Sequence, residues 1–199
     1  QKNLFLKDLE DLKESNTLIN QSFKKIEETM NHKKLSNFGS VKNSWYVLRD
    51  SSSNGVCADE LRIKYSENCY QSVSSITLNE GRSLGVKDSF ITFITEKDLS
   101  EYTKEIEELC NNDNLVIIIC IDSDIPSEFK SLEKSGKVLI INMPKSSKHF
   151  SFLPTVIAGQ FLSYYLAVAL DKRKEFFIDL FDSINDIDKA KESIARLNI

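Results

Sequence analysis

At 199 residues the chain has the length of one domain with helical additions, and a hydrophobic content of 41% is enough for a real core. A net charge of −4 and a pI near 5.4 leave no basic stripe, which argues against a nucleic-acid partner. No run reaches the roughly 18 unbroken apolar residues that a membrane span needs, so no membrane is expected.

Residues 3–31 read as a helix, because Phe5, Leu9, Leu12, Ile19, Phe23, Ile26 and Met30 recur at steps of three and four, with Asn16 interrupting the stripe. A polar linker over 36–43 contains Gly39 and leads into Ser44-Trp-Tyr-Val-Leu48, a buried strand. The loop from Asp50 through Ser51, Ser52, Ser53 and Asn54 to Gly55 is turn-forming and offers caps to a helix from Val56 to about Tyr70. Val73–Leu78 is a short second strand and Ser89–Thr95 a third, followed by a helix over Leu99–Cys110.

Leu115-Val-Ile-Ile-Ile-Cys-Ile121 is nearly all apolar and β-branched, the pattern of a parallel strand buried on both faces. Pro126–Glu133 is a short helix ended by Gly136, and Lys137–Ile141 is the last strand. The helix from about Leu153 to Leu170 is apolar nearly all round and is expected to be buried rather than solvated. Phe176–Leu197 reads as a final amphipathic helix, after a basic Lys172-Arg173-Lys174 that suits a helix end.

Five strands alternating with helices imply an α/β fold with a doubly wound, five-stranded parallel sheet and extra N- and C-terminal helices. The expected division is a helical segment over 1–38, the α/β domain over 39–172 and the terminal helix over 173–199. Ligands of such folds bind beyond the carboxyl ends of the strands, where strand order reverses, so the loop from Asp50 to Gly55 is the natural crevice.

The four cysteines, Cys57, Cys69, Cys110 and Cys120, show no CxxC spacing and read as a buried, reduced, cytoplasmic set. With only His32 and His149, neither a metal site nor His-based nucleophilic catalysis is expected. There is no GxGxxG and no GK[ST], so no nucleotide cofactor is expected. The start, Gln1-Lys2-Asn3-Leu4, carries no signal-peptide pattern and no initiator Met, and reads as a fragment or a processed chain.

Glu60, Lys64 and Glu67 stand at i, i+4 and i+7 and share one helix face. Lining a crevice, they would be an acid–base set: a carboxylate to move a proton between C1 and C2 of an aldose–ketose pair, and an ammonium to steady the enediol oxygen. Taken alone, the spacing favours a solvated ion-pair stripe. Ser51, Ser52, Ser53 and Asn54 precede a helix N-terminus, where a phosphate can bind; the plainer reading is a capped turn.

The helix after the last strand, with Gln160, Leu162, Tyr164, Ala167 and Leu170, together with Glu60-x3-Lys64-x2-Glu67, resembles the sugar isomerase (SIS) family, in particular the second isomerase half of the glutamine–fructose-6-phosphate aminotransferases. The resemblance covers roughly 42–172 and implies a flavodoxin-like SIS domain. It implies Glu67 as the proton shuttle of an isomerisation, with Lys64 and Glu60 as electrostatic partners. Ser51, Ser52, Ser53 and Asn54 would hold the phosphate of a hexose 6-phosphate. Glu80 and Arg82 look like the family's E-x-K/R. The family's ring-opening His falls on Ser83, however, and its C-terminal catalytic Lys and first-half phosphate loop have no counterpart. Thr95 and Ser100 fall near that loop if the chain is aligned with a first half. Two functions stay open: an isomerase or aminotransferase-like half in the cytoplasm, or a non-catalytic module that senses a sugar phosphate or provides an assembly surface. The implied partners are a sugar phosphate and either a second copy or a partner SIS half; no cofactor is implied.

Overall fold

The computed structural model describes residues 42, 44–50, 55–144 and 152–170, with residue 20 alone before them. The helices expected over 3–31 and 176–197, the loop 51–54 and the two flanking segments of the expected division lie outside the described residues. Within them the chain runs β1 (Ser44–Arg49), α1 (Gly55–Cys69), β2 (Val73–Thr77), α2 (Leu78–Ser83), β3 (Ser89–Ile94), a 3-10 turn (Leu99–Tyr102), α3 (Thr103–Asn111), β4 (Leu115–Ile121), α4 (Ser127–Lys134), β5 (Val138–Met143) and α5 (Phe152–Ala169).

All five strands pair in parallel, in the order β2-β1-β3-β4-β5. Side chains alternate across a strand, so each β-branched run feeds two cores. Ile117 and Ile119 of β4, with Phe90 and Ile94 of β3, face the layer made by α1 and α5. Val116, Ile118 and Cys120, with Ile91 and Phe93, face the layer of α2, α3 and α4. This two-sided burial is why β3 and β4 carry almost no polar residue; Thr92 is accommodated because its Oγ1 bonds the Tyr65 hydroxyl at 2.7 Å.

α1 and α5 lie side by side on one face of the sheet. Gly159 makes the close approach possible: a Cβ there would stand 3.3 Å from Leu61 Cδ1. Polar side chains finish the seam. Asn68 Nδ2 donates to Ser163 Oγ at 2.9 Å, and Gln160 Nε2 donates to Glu60 Oε1 at 3.2 Å. Long and apolar enough to span a bilayer by composition alone, α5 packs one face on α1 and the sheet, as a core helix does. The expectation of burial all round is corrected here: Tyr164 is 52% exposed and Gln160 and Phe152 also face outward, because a two-layer packing covers only one side of a helix.

On the other face, α2, a stretch to which the sequence pattern assigns no element, is a short helix with a capping box. The Thr77 hydroxyl accepts from the Glu80 amide at 3.2 Å, and Glu80 reaches back to the Thr77 amide at 2.6 Å. These hydrogen bonds hold the Glu80 carboxyl below its usual range, the backbone bond most. Buried Asn114 ties three segments together: its Oδ1 accepts from the Ser89 amide, and its Nδ2 donates to the Val86 and Leu109 carbonyls. The four cysteines are buried, and burial pushes the Cys110 thiol up to about 11.

Candidate functional site

Strand order reverses between β1 and β3, since the chain leaves β1 for β2 on one side and returns to the other side with β3. The crevice of such a sheet lies at that point, beyond the strand ends. There β1 delivers Arg49 and Asp50, and β3 delivers Thr95 and Glu96. The backbone fixes them in register: the Asp50 amide donates to the Ile94 carbonyl at 3.3 Å, and the Thr95 amide to Ile119 at 3.0 Å.

Thr95 is fully buried, and its hydroxyl donates to Asp50 Oδ2 at 2.8 Å. The Tyr102 hydroxyl, brought in by the 3-10 turn, donates to the same oxygen at 3.3 Å. The Tyr102 ring is set edge-on against Phe93, at 5.1 Å between centroids. Burial, and then the Asp50 charge, pushes the phenol up to about 12. Glu96 is half-buried beside them; burial first and Asp50 second raise its carboxyl above the usual range. On the α1 side, the Arg49 Nη1 lies 3.4 Å from where a Cβ on Gly55 would stand, over the opening turn of α1. The crevice thus has a cation and a helix start on one side, and hydroxyls and carboxylates on the other. Such a division suits a ligand with an anionic group at one end and hydroxyls at the other.

Glu60, Lys64 and Glu67 do come together on α1. Lys64 Nζ pairs with Glu67 Oε2 at 2.7 Å and reaches Glu60 Oε1 at 4.0 Å. The bond to Glu67 raises the Lys64 ammonium's pKa. The Glu67 side chain is 56% exposed and lies on the outer surface. It is 12 residues past Gly55, about 18 Å along the helix at a rise of about 1.5 Å per residue, so the triplet runs away from the β1/β3 crevice. Gln160 joins the triplet from α5 through Glu60. Glu80 is engaged in its capping box, and Arg82 is paired with Glu105 at 3.7 Å and Glu108 at 2.8 Å. Ser83 is exposed at the end of α2.

Sequence reasoning put the crevice at the end of β1, where the strand order reverses, but did not single out Tyr102, and took Asp50 as a turn residue. The only signal for Tyr102 was its place one turn beyond a strand's end. Among the described residues no group of three or more His, Cys, Asp or Glu side chains is arranged to hold a metal ion.

No family model matches the sequence, and no curated protein matches it. Solved structures do match in shape. The C-terminal domain of glucosamine-fructose-6-phosphate aminotransferase from Francisella tularensis superposes with a TM-score of 0.62 at 18% identity, over 86% of this chain and 47% of that one. This chain therefore spans about half the length of that domain. Phosphoheptose isomerase GmhA from Neisseria gonorrhoeae gives a TM-score of 0.56 at 13% identity, over 85% of this chain and 99% of that one. The NanR protein of Vibrio vulnificus, complexed with ManNAc-6P, gives 0.50 at 9% identity, over 87% of this chain and 67% of that one. At these identities the likeness is one of fold, and the fold is SIS-like.

Proposed function

We propose that the chain is a sugar-phosphate-binding SIS module whose ligand sits at the β1/β3 switch point. The observation that carries this is the division of side chains at the switch point: Arg49 over the start of α1, and Thr95, Asp50 and Tyr102 joined to one another by hydrogen bonds. Ser51, Ser52, Ser53 and Asn54 connect Asp50 to Gly55 and would supply hydroxyls and backbone amides to the phosphate. A fold shared with a protein complexed with ManNAc-6P supports the ligand class. With the reading go a cytoplasmic setting and assembly with a second copy or a partner SIS half. Exposure of Glu67 on the outer surface of α1 favours binding without turnover by this chain alone.

The experiment is a thermal-shift titration with fructose 6-phosphate and glucosamine 6-phosphate. A ligand at about 100 times its Kd stabilises a fold by about 2.7 kcal/mol, which for a domain of this size is a rise of roughly 5–10 °C. An unshifted melting temperature with both sugars, in the wild type and in an Asp50→Asn variant alike, overturns the reading.

A second reading is aldose–ketose isomerisation, with Glu67 as proton shuttle and Lys64 and Glu60 as its electrostatic partners. The 2.7 Å Lys64–Glu67 pair favours it, because an ammonium there can steady an enediolate. It requires turnover of fructose 6-phosphate that Glu67→Gln abolishes; absence of turnover by the wild type removes it.

A further inference from the structure

A serine, threonine or tyrosine hydroxyl has one proton to donate. Both hydroxyls on the β3 side of the crevice give theirs to one acceptor, Asp50 Oδ2: Thr95 at 2.8 Å and Tyr102 at 3.3 Å. The Thr95 oxygen also accepts from the Lys97 amide at 3.0 Å, which turns its proton toward Asp50. This side of the site therefore presents oxygen lone pairs and a carboxylate, which suit sugar hydroxyls and repel a phosphate held across from them by Arg49 and the start of α1. Asp50 directly follows β1, and its amide donates to the Ile94 carbonyl, so its carboxylate is held at the switch point by the end of the sheet. The half-buried Glu96 adds a second carboxyl group on the same side.

We propose that Asp50 is an internal anion: its carboxylate occupies the hydroxyl donors of the crevice and holds the site in a low-affinity state toward phosphorylated ligands. This makes Asp50 a specificity-determining residue, and it rests on the sugar-phosphate reading. The charge acts on the phosphate, while the neutral hydroxyls of a sugar can still donate to the same carboxylate. Asp50 therefore sets the preference between phosphorylated and unphosphorylated forms of a ligand. Asparagine at this position lifts the repulsion and keeps an acceptor for the Thr95 and Tyr102 protons; serine lifts the repulsion and frees them as well.

The test is calorimetric titration of the wild type, Asp50→Asn, Asp50→Ser and Asp50→Ser/Thr95→Val with fructose 6-phosphate, inorganic phosphate and fructose. The asparagine variant keeps the shape and an acceptor oxygen, so the comparison stands if the serine variant fails to fold. Expected is a gain of about tenfold or more for fructose 6-phosphate and phosphate in both single variants, with fructose unimproved. Adding Thr95→Val should cancel only the part of the serine variant's gain that exceeds the asparagine variant's, since it removes one of the two freed donors. Equal or weaker phosphate affinity in the folded single variants overturns the inference and leaves the sugar-phosphate reading intact where the wild type binds. No binding of either phosphate ligand by any of the four proteins overturns both. Lower stability without an affinity gain would make Asp50 only a tie between β1 and the 3-10 turn, which also overturns it.

Discussion

Gly159 offers the sharpest test of how the two-helix layer is held. It faces Leu61 across the seam, with a built Cβ at 3.3 Å from Leu61 Cδ1, 3.5 Å from Cβ and 3.7 Å from Cγ. For Gly159→Ala two terms compete. Helix propensity gains about 1 kcal/mol, and the nearest atom is the end of a side chain that can yield by a few tenths of an ångström. The net change should stay within about 1 kcal/mol. Gly159→Leu adds three more carbons where no space exists, forces α5 away from α1 and strains the Asn68–Ser163 and Gln160–Glu60 bonds. Overpacking of this kind costs about 1–3 kcal/mol. At about 2–4 °C per kcal/mol, the melting temperature should fall by roughly 2–12 °C. Thermal unfolding followed by circular dichroism, beside urea denaturation, measures it. Leu61→Ala should relieve the crowding, so the double variant should be at least about 1 kcal/mol more stable than the sum of the single losses implies. A Gly159→Leu protein that melts with the wild type, or a double variant that is simply additive, would refute the close-approach argument.

Two further perturbations follow from the same structure. Asn114→Ala removes acceptor and donors from the Ser89 amide and the Val86 and Leu109 carbonyls and should cost about 3 kcal/mol in urea denaturation; a loss under about 1 kcal/mol would mean other groups satisfy that backbone. Glu96, whose folded-state pKa lies above its unfolded one, binds its proton more tightly when native, so its ionisation opposes folding as pH rises through the folded value. Glu96→Gln should therefore stabilise the protein at pH 7, and that gain should disappear below the usual carboxylate range. A gain that grows on acidification has the wrong sign for this argument.

Strand composition made the sheet legible: Leu115–Ile121 could be nothing but a doubly covered strand, and the structure pairs it with β3 and β5. The alternation of strands and helices implied the parallel order, but composition carries no record of which neighbour each strand chooses. α2 was missed because Val73–Leu78 reads as one apolar-edged run, although Thr77-x-x-Glu80 is a capping signature. The all-round apolar α5 misled for a different reason. Its outward side carries Phe152 and Tyr164 while its inward side carries Thr155 and Ser163, so periodicity could not say which side the sheet would take. The crevice's location followed from topology. Its chemistry did not, because Thr95 and Tyr102 stand 45 and 52 residues beyond Asp50 in the chain and only the β1–β3 register makes them neighbours.

The polar seam between α1 and α5 has a consequence for how the molecule is made. Its bonds join residues 95 and 100 positions apart, and Cys57 meets Thr155 across 98. During synthesis α1 can cover its sheet-facing side with β1 and the strands that follow, but the side that faces α5 waits until β5 and then α5 have been made. Loop closure over such a span comes late and slowly. Until then Cys57 and Leu61 lack the Thr155 and Gly159 they meet in the finished fold, the kind of transiently exposed apolar surface that invites aggregation.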